Sequence, residues 1–182
     1  DVLKTALTNP RSALTFLKTI FWIRQAKQKR ERCARRGVPV PPVVILSITE
    51  RCNLSCKGCY AHALHELPAN ELSPERLLLL AEEASDLGVS FFVVAGGEPF
   101  MQPELLRIAA RFPNIIFLVF TNGLLITEEM SDRLRKLPNI VPLLSLEGGE
   151  KETDDRRGEG VYRALQKVMA DLKKKRIFFG TS

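Results

Sequence analysis

Cys52, Cys56 and Cys59 stand in the spacing C-x3-C-x2-C directly after an apolar run. Three thiols so close along the chain can turn their sulfurs to one small metal centre. The backbone there must therefore form a loop rather than extend the preceding run. A 4Fe-4S cluster is ordinarily held by four thiolates, so three from the protein leave one iron with an open position. Zinc is the alternative, with His62 completing a Cys3His set. A structural zinc usually holds together a small domain, whereas the segments that follow supply a core of their own. His62 and His65 read more simply as ordinary helix or loop residues.

With 182 residues and 45% apolar side chains, the chain is long enough for one domain with a sizeable core. Four cysteines, three of them clustered, are not the framework of a secreted disulfide scaffold, so a reducing compartment, the cytoplasm, is expected. No segment reaches the run of about 20 apolar residues that crosses a bilayer. The stretch from Phe16 to Ile23 is broken by Lys18 and leads into a basic run without a small-residue cleavage site, which argues against a signal peptide. The first residue is Asp, consistent with a trimmed start. The net charge of +6 is unevenly placed. Residues 1–42 hold ten Lys and Arg against Asp1 and Glu31, a surplus of eight, and the other 140 residues carry a net −2. The basic character belongs to one arm, and nucleic-acid binding is not expected.

That arm, residues 1–42, reads as a helix over about 13–36 followed by a linker stiffened by Pro39, Pro41 and Pro42. Ala13, Phe16, Leu17, Ile20 and Phe21 recur at helical spacing, and the half from Arg24 to Arg36 is almost wholly basic. Its plainer reading is an apolar half covering the floor of the next domain and a solvated basic half. A second reading makes it an interfacial helix on an anionic membrane, a peripheral contact anchored by Phe21 and Trp22. Cys33 in this arm reads as a lone thiol.

Residues 43–182 alternate apolar, β-branched runs with helical stripes. The runs are 43–48, 91–95, 115–120, 141–146 and 177–179, continuous enough to predict strands buried on both faces. Ser73-Pro74 opens the first intervening helix and Gly88 ends it; Pro103 and Thr127 open two more, and a fourth spans about 160–176. This alternation predicts a parallel α/β fold, a partial (β/α) barrel or a doubly wound sheet. The unusual residues fall at carboxyl ends of strands: the cysteines after the first, Gly96-Gly97-Glu98-Pro99 after the second, Thr121-Asn122-Gly123 after the third, Ser145 and Glu147 at the fourth. That is the face on which barrel enzymes build their sites. Glycines and a proline after a strand commonly make only a turn. The same residues also offer close backbone approach and a carboxylate suited to an ammonium group. Thr121-Asn122-Gly123 likewise reads as a turn or as part of a pocket. Ser145 and Glu147, two apart on a strand, point the same way and need a polar partner, for which the hydroxyls of a ribose would serve.

C-x3-C-x2-C after the first strand, joined to Gly-Gly-Glu-Pro after the second, resembles the radical S-adenosylmethionine (radical SAM) enzymes over about residues 43–182. The resemblance implies a partial barrel carrying a 4Fe-4S cluster on Cys52, Cys56 and Cys59, with the open iron chelated by the amino and carboxylate groups of S-adenosylmethionine. It implies that Gly96, Gly97 and Glu98 hold the amino group, that backbone at Tyr60 lies near the adenine, and that Ser145 and Glu147 lie near the ribose or carboxylate. Thr121 and Asn122 complete the cofactor-binding candidates. The run from Ser145 to Gly148, with Asp155, Arg157, Gly158 and Gly160, is similar to the branch of sulfatase- and peptide-maturing enzymes, by which Arg157 pairs with the cofactor carboxylate. A low-potential electron donor of flavodoxin or ferredoxin type is implied as partner, with the substrate unspecified. Gly58 departs from the pattern, since many members carry an aromatic residue before the third cysteine; Tyr60 is the candidate to replace it. The family barrel generally has six strand-helix units, so the chain is expected to be the amino-terminal portion of a longer enzyme. Two other classes fit the cysteines alone: an iron-sulfur electron-transfer or sensing module without S-adenosylmethionine chemistry, and a zinc-stabilised interaction domain.

Overall fold

The computed structural model describes residues 10–59 and 71–182. A long helix α1 (Pro10–Arg35) precedes five parallel strands and their helices: β1 (Val43–Ser47), α2 (Pro74–Leu87), β2 (Phe91–Ala95), α3 (Glu104–Arg111), β3 (Ile116–Thr121), α4 (Glu128–Leu134), β4 (Ile140–Leu144), α5 (Glu150–Arg157), α6 (Val161–Lys174) and β5 (Gly180–Thr181). The strands lie in chain order β1-β2-β3-β4-β5, each paired in parallel with the next. Strands in sequence order with a helical segment in each connection are the start of a barrel. A doubly wound sheet would reverse direction partway.

The helix ends follow the sequence signals. Ser73 accepts a hydrogen bond from the Arg76 amide and is followed by Pro74, while Gly88 closes α2 in a left-handed cap. Thr127 caps α4 through the Met130 amide. Helix α5 is absent from the sequence expectation because its residues, Glu150 to Arg157, are almost all charged and carry no apolar stripe.

One face of the sheet is covered by helices, and there Phe92, Val94, Phe117, Val119, Ile140 and Leu144 pack against Leu77, Ala81, Leu105, Ala109, Leu165 and Leu172. The other face is open along the β1 edge, where Ile45 is 74% exposed and Val43 42%. The runs therefore are not buried on both faces, as their continuous apolarity predicts. A half-barrel has helices outside and nothing among the described residues to fill its inside. The fifth strand also falls later than expected. Pairing with Leu143 and Leu144 begins only at Gly180 and Thr181, while Ile177 and Phe179 pack against the core.

Helix α1 reverses the plainer reading of the arm. Its apolar half is exposed at Leu14, Phe16, Leu17 and Phe21, and its basic half makes the contacts. Ala26 is buried, Lys29 Nζ donates to the Ser85 carbonyl at 2.9 Å, and Arg30 donates to the Gly88 carbonyl and to Ser90 Oγ. These carbonyls close the carboxyl end of α2, where the helix dipole and unpaired acceptors attract cations.

Candidate functional site

The carboxyl ends of β1, β2 and β3 are stitched together before any ligand is considered. Parallel pairing of β1 and β2 continues beyond the strands: Ile48 N donates to Ala95 O at 3.2 Å, Gly97 N to Thr49 O at 2.7 Å and Glu98 N to Arg51 O at 2.8 Å. The segment Thr49–Arg51, which delivers the chain to Cys52, is thus laid along the Gly-Gly-Glu turn. Both glycines are required by that contact. A Cβ on Gly96, whose φ is +128°, would stand 2.3 Å from Thr49 O, and one on Gly97 2.2 Å from Arg51 O. The close approach that the glycines allow is made by the protein's own backbone.

Glu98 is fully buried. Its Oε1 accepts from Thr121 Oγ1 at 2.8 Å and from Phe100 N at 3.1 Å, and its Oε2 accepts from Asn122 N at 2.8 Å. Burial pushes its carboxyl above the usual range, and the bonds from Asn122, Thr121 and Phe100 pull against that. The carboxylate therefore ties the β2 turn to the end of β3. Asn122 carries the tie onward. Its Nδ2 donates to Asn53 Oδ1 at 2.8 Å and reaches Cys52 Sγ at 3.9 Å, while its Oδ1 accepts from Leu124 N at 3.0 Å.

The cysteine loop is fixed from the other side by α5. Lys57 N donates to Arg156 O at 2.8 Å, and Lys57 Nζ meets Asp155 Oδ1 at 2.7 Å. Cys52, Cys56 and Cys59 are all free and half-buried. Burial pushes the Cys56 thiol up, with Cys52 and Cys59 adding to the rise, and Arg157 and Arg156 pull against it without reversing it. Among the described residues no three His, Cys, Asp or Glu side chains converge tightly enough to hold a single metal ion. Three free thiols on one anchored loop, with a cation and an amide N–H beside them, are the donor chemistry that a 4Fe-4S cluster would require.

Ser145 and Glu147 lie beyond the end of β4, so they do not share a strand face as expected. Ser145 N donates to Thr121 O at 2.9 Å, and Leu146 N pairs with Ser182 O at 2.9 Å. Glu147 Oε1 accepts from Arg157 Nη2 at 2.5 Å and Nε at 3.1 Å, and Oε2 accepts from Arg156 Nη1 at 2.7 Å. Two residues expected to meet the cofactor separately, Glu147 and Arg157, thus pair with each other. Tyr60, His62 and His65 lie outside the described residues. Sequence reasoning passed over Asn53, Arg156 and the Thr49–Arg51 segment. The signals were present in the polar turn after β1 and in the paired arginines 156 and 157.

Burial works to raise the Glu147 pKa, but the hydrogen bonds and charges of Arg156 and Arg157 prevail and hold it below its ordinary 4.5. A depressed carboxylate stabilises the fold above the unfolded pKa and loses that contribution as pH falls through the folded value. Glu147→Gln should therefore cost about 1 kcal/mol at pH 7. The gap from wild type should narrow as pH falls below the ordinary value of 4.5 and close once it is beneath the lowered folded value, read from urea midpoints across that range.

The model of the Radical SAM superfamily matches residues 46–181 of this chain. The chain belongs to that superfamily. It is 33% identical over 142 residues to Fe-coproporphyrin III synthase of Methanosarcina barkeri, covering 76% of this chain and 36% of the relative. It is 30% identical over 142 residues to the mycofactocin maturase MftC of Mycobacterium tuberculosis, covering 74% and 36%. Among solved structures, Streptococcus suis SuiB bound to S-adenosylmethionine superposes with a TM-score of 0.67 at 18% identity, over 87% of this chain and 36% of that one. The chain thus spans just over a third of these radical SAM relatives. The family comprises enzymes that use a 4Fe-4S cluster and S-adenosylmethionine, and the expected fold class, a parallel α/β partial barrel behind an amino-terminal helix, is the one observed.

Proposed function

We propose that this chain supplies the cofactor-binding half of a radical SAM enzyme, with Cys52, Cys56 and Cys59 as the three cluster ligands. The observation that carries this is the convergence of the cysteine loop, the Gly96-Gly97-Glu98 turn and Asn122 at the carboxyl ends of three adjacent strands. When bound, a 4Fe-4S cluster with an open iron supplies the electron that cleaves S-adenosylmethionine reductively to a 5'-deoxyadenosyl radical, which abstracts hydrogen from substrate. The protein's own part is to hold and orient. Backbone at Gly96 and Gly97 is left to meet the cofactor's amino group, since Glu98 is occupied in bracing the turn. Ser145 and Thr121, at the adjoining strand ends, would serve the ribose, and the proposal gives the adenine to backbone at Tyr60, outside the described residues. Burial raises the Cys56 thiol, and the charge of Arg157 works against that, toward the thiolate form that a metal requires.

The division into a basic arm, 1–42, and a radical SAM core, 43–182, belongs to the same proposal. So does a low-potential donor of flavodoxin or ferredoxin type. The substrate is of a kind that relatives' names give, a precursor peptide or a porphyrin. Among the described residues no helix is long and apolar enough to cross a membrane. The exposed Leu14, Leu17 and Phe21, one turn apart on α1 and followed by Arg24, Arg32 and Arg35, would suit a peripheral contact with an anionic bilayer. Anaerobic reconstitution with iron and sulfide tests the core claim. A brown protein with one 4Fe-4S cluster per chain is expected, and a colourless protein holding stoichiometric zinc would overturn it.

A further inference from the structure

Both polar atoms of the Asn122 side chain are engaged within the protein. Its Oδ1 accepts from Leu124 N, which fixes the amide so that Nδ2, with two hydrogens, faces the cysteine loop. One hydrogen serves Asn53 Oδ1 at 2.8 Å, and the other is aimed at Cys52 Sγ, 3.9 Å away. That separation is long for an oxygen acceptor but within reach of the larger sulfur. The residue is 6% exposed, and its own backbone N–H is gripped by the buried Glu98. Rotation of the amide away from the sulfur would break the bond to Leu124, and movement of the backbone would break the bond to Glu98.

We infer that Asn122 is a positioning residue for the cluster: its side-chain amide donates a hydrogen bond to the Cys52 sulfur, held there by Glu98, and thereby sets the cluster's reduction potential. Donors to cluster sulfurs stabilise the reduced, more negative state and raise the potential. The relay runs from the glycine-glutamate turn through the end of β3 to one cluster ligand, so two sequence motifs act on one sulfur. This inference rests on the cluster reading above.

The test is an electron paramagnetic resonance redox titration of the anaerobically reconstituted chain, as wild type, Asn122→Ala and Asn122→Asp, with iron and sulfide counted in each. At a fixed potential near the wild-type midpoint, the ratio of reduced to oxidised clusters should be about fivefold lower in Asn122→Ala, the yield of one ordinary hydrogen bond. Asn122→Asp keeps the acceptor for Leu124 N but sets a carboxylate against the sulfur, and its midpoint should fall further still. Midpoints equal to wild type at full iron content would overturn the inference while leaving the cluster assignment intact. Should neither variant take up iron although both keep the wild-type circular dichroism spectrum and melting transition, Asn122 is needed to assemble the site rather than to set its potential, and the inference is overturned. Loss of the fold in both would assign it to the scaffold and overturn the inference. A wild-type chain that takes up no cluster would instead refute the reading beneath it.

Discussion

Cys56→Ala should abolish iron-sulfur incorporation while leaving the folded chain intact. Cys56 is the middle one of the three proposed ligands. With it gone, two thiols remain on a loop pinned at Lys57 to α5, and two ligands do not hold a cubane that ordinarily needs at least three. The side chain is only half-buried, so the metal-free variant should lie within about 1 kcal/mol of metal-free wild type. Cys33→Ala, on α1 and away from the loop, should retain the cluster. Iron and sulfide analysis of the two reconstituted variants separates ligand from bystander. Full iron content in Cys56→Ala would sink the ligand assignment.

Gly97→Ala should be strongly damaging to the fold itself. The new Cβ would fall 2.2 Å from Arg51 O, 2.6 Å from Arg51 C and 2.7 Å from Glu50 O. All three are backbone atoms, which cannot swing aside as a side chain would. Either the Gly97 N–H loses Thr49 O and the Glu98 N–H loses Arg51 O, or the strands part. The expected cost is about 3 kcal/mol or more, a fall of roughly 6–12 °C in melting temperature for a chain of this size. Because Thr49–Arg51 carries the chain into Cys52, cluster uptake should fail with it. Thermal melts and iron analysis on the same preparation check both parts. A variant melting with wild type would show that the turn and the loop are not in contact.

Much of this was legible in residues 43–182 because strand and helix patterns differ in period. Ser73-Pro74, Gly88 and Thr127 announced their helix ends through capping chemistry that acts locally. The cysteine spacing pointed to the family whose model matches residues 46–181, because a pattern within one loop needs no tertiary information. What stayed hidden was set by contacts distant in sequence. Glu98 reads as a ligand for an ammonium group until burial shows its oxygens engaged by Thr121, Asn122 and Phe100. Glu147 and Arg157 read as two cofactor contacts until α5, a helix without an apolar stripe, brings them together. The basic half of α1 reads as a solvated face, and only the exposed carboxyl end of α2 explains why it docks.

The central claim is that the three-cysteine loop holds a cluster whose open iron is the S-adenosylmethionine site. The most direct measurement is the electron paramagnetic resonance spectrum of the anaerobically reconstituted, dithionite-reduced chain, recorded with and without S-adenosylmethionine. A reduced-cluster signal whose g-values shift on adding the cofactor is the result predicted. A cluster signal that is identical in both samples would contradict the account and leave an iron-sulfur module that binds no S-adenosylmethionine.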